Sequence, residues 1–296
     1  MAGMSAAFPN LRSDRRGLAG LIMFGVLLLS VAAAWLLIRG RTAAAERGRE
    51  ILQEIRNRKL SAFWGTDPVE LWYLSVTADN QPVGWHQMAR SYKDGRYFGR
   101  TIRRSGKLIV QEEWTLNEDA TAGEYAAREG PIVTFIRLEG GNVRVSSNLD
   151  REAASDLAPA NYIPEGLSPL VFYLAAEAGQ AADCQELLKE RPIMDGRVNF
   201  TPVAMEPAGE RRLRVGISRK TEILFAFAPG GRVEQMEHLQ AGITDRLVSP
   251  DEVTRQFPET LRLRGTEPEP SDPELQPPAP FDEERPPAGP HDVLNL

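Results

Sequence analysis

The residues able to do chemistry are few and scattered. His86, His238 and His291 lie far apart in the chain, so a metal site would need distant strands to converge on it. The single cysteine, Cys184, excludes an intrachain disulfide and any all-cysteine zinc site. No base accompanies it in sequence, and a lone cysteine of this kind reads as a buried, inert thiol. Glu112 and Glu113 are adjacent on a predicted strand, which points them to opposite faces and prevents them from acting as a carboxylate pair on one bond. Gly140-Gly141 sits between strands rather than between a strand and a helix, against a phosphate-binding loop. These residues imply no cofactor, no metal and no catalytic machinery.

One polar pair stands out because its surroundings are apolar. Phe98, Arg100 and Ile102 share one face of a predicted strand at Arg96 to Arg104, and Val110, Glu112, Trp114 and Leu116 share one face of the next, Leu108 to Leu116. If both apolar faces point the same way, the connecting loop has odd length, and a three-residue Ser105-Gly106-Lys107 loop sets Arg100 opposite Glu112. As a structural cross-strand pair it contributes about 0.2–1 kcal/mol. As a functional feature it is a polar anchor in an apolar groove, with Trp72, Phe98, Trp114 and Phe172 as the other groove candidates.

The elements that position these residues have alternating apolar periodicity. In Glu70 to Thr77, Trp72, Leu74 and Val76 share a face; Val83 to Tyr92 follows, and Asp94-Gly95 marks a tight hairpin to the next strand. Strands are expected at about Gly123 to Arg128, Ile132 to Glu139 and Val143 to Asn148. After the centre they resume at Gln185 to Lys189, Arg197 to Met205, Arg211 to Ile217, Thr221 to Ala228 and Val233 to Gln240. Between the two sets lies NYIPEGLSPLVFYLAAEAG, Asn161 to Gly179. Here Ser168 suits an N-cap, Pro169 the first helical position and Gly179 the C-cap of a short helix too apolar to stand in water. Ser249-Pro250-Asp251-Glu252 is a capping box opening a second short helix that Pro258 closes.

Everything after the first forty residues is tethered. Leu18 to Ile38 carries no charge and, at about 1.5 Å rise per residue, covers the roughly 30 Å hydrocarbon core of a bilayer. A cleaved signal would have a shorter apolar run; Trp35-Leu36-Leu37-Ile38 extends this one to full length before Arg39 and Arg41, so it reads as an uncleaved anchor. The Lys/Arg count favours a cytoplasmic carboxy-terminal domain, with seven between Arg39 and Lys59 against three in the head. Several of those seven lie well beyond the span, and a short arginine-bearing head is how exported single-span proteins usually begin; the extracytoplasmic reading of the domain is implied mainly by the family resemblance given below. Thr42 to Leu60 is a predicted helix whose Ile51, Leu52 and Ile55 form one apolar stripe, a stalk too short in heptads for a coiled-coil dimer. The chain thus divides into a basic cytoplasmic head (1–17), a transmembrane helix (18–38), a stalk (39–62), a β domain (63–264) and a tail (265–296).

The net charge of −6 misleads, because the tail holds eight acids against Arg285 alone and leaves the rest near neutral. Nothing here is a nucleic-acid footprint, which needs a clustered basic surface. The tail's nine prolines and acid excess predict disorder, an inert spacer or an interaction arm.

With its anchor, its long meander carrying a Gly84-Trp85 step after the first turn, and an apolar helix introduced by Tyr162-Ile163-Pro164-Glu165-Gly166 between two sets of strands, the chain resembles the bacterial lipoprotein-carrier-like half-barrel families. The resemblance covers roughly Val69 to Leu247 and carries over no site residue. It implies a mainly β fold with α: after the transmembrane helix and stalk, a curved antiparallel half-barrel sheet encloses a short apolar helix, and in some members the site takes acyl chains. Two functions follow. The first is a binding module, anchored in the bacterial inner membrane, for a lipid or other apolar ligand; the second is a structural or assembly component of the cell envelope whose protein partners bind sheet edges or the tail. A residual apolar cavity beside Leu170 to Leu174 would favour the first.

Overall fold

In the computed structural model, residues 14–148, 152–217 and 221–263 are described; the tail from 265 onward, and with it the expectation of disorder, lies outside them. The chain opens with a long helix, α1 (Asp14–Arg58), and a single turn, α2 (Ser61–Trp64). Eight strands follow: β1 (Val69–Thr77), β2 (Pro82–Lys93), β3 (Arg96–Ser105), β4 (Leu108–Asn117), β5 (Gly123–Glu129), β6 (Ile132–Glu139), β7 (Asn142–Ser147) and β8 (Glu152–Leu157). Then come α3 (Ser168–Ala178), β9 (Ala182–Leu187) and a small hairpin of β10 (Ile193–Met194) with β11 (Arg197–Val198). The remainder is β12 (Phe200–Gly209), β13 (Arg212–Ile217), β14 (Thr221–Phe227), β15 (Val233–His238), β16 (Ile243–Val248), α4 (Pro250–Gln256) and a 3₁₀ turn at Pro258–Leu263.

Among the described residues, fourteen strands form one antiparallel sheet in the order β8-β7-β6-β5-β4-β3-β2-β1-β16-β15-β14-β13-β12-β9. Both meanders run in sequence and meet where β1 pairs with β16, setting Trp72 opposite Val248. Tight turns supply most of the connections: Asp94 and Gly95 both take positive φ, as do Gly140 and Gly141, the conformation that two-residue hairpins need.

The sheet is apolar on both faces. One face bears the second half of α1 and all of α3: Ile51, Leu52 and Ile55 are buried with Leu170, Val171 and Phe172 against side chains such as Tyr73, Leu213 and Phe225. The reverse face carries Trp72, Trp85 and Ile102 under Val253 of α4. The capping box of α4 forms as its sequence suggests, with Ser249 Oγ accepting from the Glu252 amide. Gly179 closes α3 in the left-handed conformation, but Ser168 does not cap its start. The residue before the helix is Leu167, and the Ser168 hydroxyl donates instead to Glu186 Oε1 at 2.5 Å.

The sheet does not close, yet its ends approach. Tyr125 of β5, Ile136 of β6 and Val145 of β7 share a core with Tyr162, Leu187 of β9 and Val198 of β11. The outer edge of the last strand, β9, is bridged in parallel by Tyr162 at Gln185, and α1 lies directly on its start: Arg47 Nε donates to the Ala181 carbonyl at 3.1 Å, and a Cβ at Gly48 would overlap the Asp183 carbonyl oxygen. Helix and edge strand can be this close only because residue 48 has no side chain. Toward its N-terminus the same helix is long and apolar enough to cross a bilayer, and none of that stretch is buried.

The Arg100–Glu112 pairing is corrected. The β3–β4 turn has two residues, Gly106 at φ +60 and Lys107, so Ser105 pairs with Leu108 and the register places Arg100 opposite Glu113 and Thr101 opposite Glu112. The parity argument fails because both faces are covered. Ile102 is buried on the reverse face, whereas Val110, Trp114 and Leu116 lie on the helix-bearing face with Tyr97.

The close approach at Gly48 yields a first prediction. Gly48→Leu forces α1 off the β9 edge and costs about 1–3 kcal/mol, the usual range for overpacking. A lower denaturation midpoint together with new proteolytic cleavage between Arg47 and Arg58 is the expected result.

Candidate functional site

The six groove candidates divide between the two faces. Trp72, Phe98 and Arg100 belong to the reverse face, where Trp72 packs against Trp85 with tilted rings, centroids 6.0 Å apart, and donates its indole N–H to Glu70. Glu112, Trp114 and Phe172 belong to the helix-bearing face, and two of these are packing residues. Phe172 is buried against Phe225 at 5.2 Å. Trp114 is wedged between Gly99 across the ladder and Gly166 of the turn before α3, since a Cβ at either glycine would overlap its ring. That accounts for Gly166 at φ +84 and for Gly99 in mid-strand.

Glu112 is the exception, and its partners come from elements far away in sequence. On the helix-bearing face the register aligns Met88, Thr101, Glu112 and Ala127, with Gly99, Trp114 and Tyr125 in the next row. Lys189, two residues past β9, reaches back over β4 and β5. Its ammonium lies 3.2 Å from Glu112 Oε1, 3.4 Å from Glu165 Oε2 and 4.9 Å from the centre of the Tyr125 ring. The Lys189 side chain stays 43% exposed, whereas that of Glu165 is 8% exposed, so the lysine covers the mouth of a cluster whose floor is buried. Glu186 on β9 and Tyr162 stand alongside.

The charges in this cluster do not balance. Three carboxyl groups, those of Glu112, Glu165 and Glu186, lie near one ammonium, that of Lys189, with Arg103 as a second cation near Glu112. Burial would raise Glu112, but Lys189 and Arg103 outweigh it and hold the carboxyl below its ordinary range. Burial prevails at Glu165, pushing it up to about 7, with Glu186 and Glu112 adding to the shift and Lys189 opposing it. Burial also raises Glu186, against the Ser168 hydrogen bond and Lys189. Lys189 itself is held well above its usual value: desolvation works the other way, and Tyr125 and the three acids overcome it.

Glu165 Oε1 is buried in the cluster without a hydrogen-bond partner, and the hydroxyl of Tyr125, a residue 4% exposed, is buried near it. The hydroxyl lies beside Glu112, and the contact lowers the carboxyl and raises the phenol. An orphaned buried group costs about 1–3 kcal/mol, more if it is charged, so it marks a place where a water or ligand belongs.

A second polar group lies along the same face. His238 Nε2 is 3.0 Å from Asp245 Oδ2, and Asp245 pairs across the ladder with Ser75. His86 packs at a tilt against Tyr73, ring centroids 5.3 Å apart, and burial lowers its pKa despite Asp245 and Glu112 nearby. Two of the three histidines thus approach one carboxylate, but among the described residues no group of three His, Cys, Asp or Glu side chains could hold a metal ion. Cys184 is buried on the same face, its thiol pushed up to about 12 by burial with Glu186 and Asp183 adding, and is inert at neutral pH.

Sequence reasoning selected Glu112 but missed Lys189, Glu165, Glu186 and Tyr125. The available signal was Glu165 in an otherwise apolar run, Tyr162 to Leu174, directly ahead of a buried helix. A scan against protein-family models matches no family, and a search of curated proteins finds no match for the chain.

The raised Glu165 pKa fixes the sign of a pH effect. The folded protein keeps a proton on this carboxyl up to about pH 7, whereas the unfolded chain releases it near 4.5. Glu165 therefore contributes stability fully below about pH 4.5 and loses it as pH rises through 7, by at most about 3 kcal/mol. Glu165→Gln flattens this slope, so in denaturation curves at pH 5 and pH 8 the substitution gains on the parent at the higher pH.

Proposed function

We propose that the chain is a single-pass protein of the bacterial inner membrane whose β domain, held outside the cytoplasm on α1, binds a small ligand at the Lys189 cluster. The reading is carried by one observation: a polar anchor set among aromatic side chains leaves Glu165 Oε1 buried without a hydrogen-bond partner, near the buried hydroxyl of Tyr125. Such a handful of converging polar groups in an otherwise apolar setting is how ligand sites fix orientation. The apolar span of α1 and the curled antiparallel sheet support the membrane-tethered half-barrel reading and its likeness to lipoprotein-carrier-like families. Glu112 keeps its role as anchor, with Lys189 in place of Arg100 as partner.

The packing of Trp114 and Phe172 favours a second reading, an envelope assembly component whose helix-bearing face is filled by its own side chains and whose partners bind elsewhere. Mass spectrometry of the purified full chain separates the two. On the binding reading a small molecule co-purifies, and Glu112→Gln lowers its occupancy about tenfold or more, the loss of one charge-assisted hydrogen bond, while the melting curve persists. A clean apo protein supports the assembly reading.

A further inference from the structure

Resting on the binding reading above, we propose that the ligand of the Lys189 cluster presents a protonated primary amine, which donates to Glu165 Oε1 and Tyr125 Oη beside the ammonium of Lys189. The argument is one of charge and of donor count. Lys189 pairs with Glu112 Oε1 and Glu165 Oε2, Arg103 adds a second positive charge near Glu112, and Glu186 takes its hydrogen bond from the neutral Ser168 hydroxyl, so three carboxyl groups face two cations. The cluster therefore holds more negative than positive charge, and its buried vacant acceptor, Glu165 Oε1, is a carboxylate oxygen. A ligand carboxylate or phosphate would add a fourth negative charge at that oxygen. A neutral alcohol could bond there but would leave the excess in place.

An ammonium does both. It has three donors in a compact head, matching a carboxylate oxygen and a phenol oxygen that can accept. An inorganic cation is the poorer match, because among the described residues no three His, Cys, Asp or Glu side chains converge as metal ligands. The aromatic rings of Tyr125 and Tyr162 border the cluster, and Lys189 already lies over the Tyr125 face, which shows that this surface accepts a cation.

The amine requires ionised Glu165. That carboxyl is faced by Lys189, Glu186, Glu112, Tyr125 and Tyr162, of which only Lys189 favours the charged form. Amine binding therefore tightens as the pH rises through about 7 and releases a proton.

The test uses the full chain in nanodiscs with n-butylammonium, butyrate and n-butanol as probes, followed by saturation-transfer NMR titration. Butylammonium is expected to bind at least tenfold more tightly than either comparator, and to gain about tenfold between pH 6 and pH 8 as Glu165 ionises. Glu165→Gln abolishes the pH gain and Tyr125→Phe weakens binding; should the first variant melt early, Glu186→Gln serves in its place with a smaller loss. Butyrate or butanol binding as well as the amine, or a Glu165→Gln protein that keeps the pH gain, overturns the amine assignment and leaves the binding reading standing. So does a co-purified ligand that lacks an amine. No binding of any probe, together with a clean apo protein by mass spectrometry, removes both.

Discussion

A long antiparallel sheet in water must dispose of two free edges and two apolar faces, and the contact of α1 with the β9 edge is where this protein meets both demands at once. At Gly48 the helix backbone sits on the carbonyl of Asp183, and together with the segment 161–163 bonded to Gln185 it screens an edge that could otherwise recruit another strand. The same approach brings Ile51, Leu52 and Ile55 down onto the core beside α3. Helix, edge and core are therefore one packing unit. The curl of the sheet follows, because β9 can share a core with β5, β6 and β7 only if the two halves bend toward each other.

The Lys189 cluster is a product of that curl. Glu112 sits on β4, Tyr125 on β5, Glu165 in the turn before α3, Glu186 on β9 and Lys189 just past it. No two of the three carboxylates are neighbours in sequence, and a flat sheet would hold β4 and β9 far apart. Glu165 Oε1, buried there without a partner, lies where the two halves meet, the place where packing is hardest to complete with apolar side chains alone.

The order of strands and helices was largely legible, since alternation in Glu70 to Thr77 and Val233 to Gln240 and turn residues such as Asp94-Gly95 are local signals. Two strands of the large sheet escape a local reading: β8, with the small alternating residues of EAASDL, and β16, where Asp245 interrupts the apolar face. The β3–β4 register was misread because it was inferred from the assumption of a single apolar face, whereas α4 covers the reverse side through Val253. Of the site, only Glu112 could be picked out. Its partners are set by the long-range pairing of two meanders, and no local pattern around Lys189 or Glu186 records it.

One feature of α1 has mechanical weight. The helix runs unbroken from its apolar half into the core, so about 9 Å of rigid rod separates Ile38 from Ala44, the first buried residue of the docked half. With the apolar half in a bilayer, that rod sets a standoff between headgroups and sheet, and it allows no swivel. Any tilt of the span is a tilt of the whole domain, so bilayer thickness and lateral crowding would act on the sheet as a lever acts on its load.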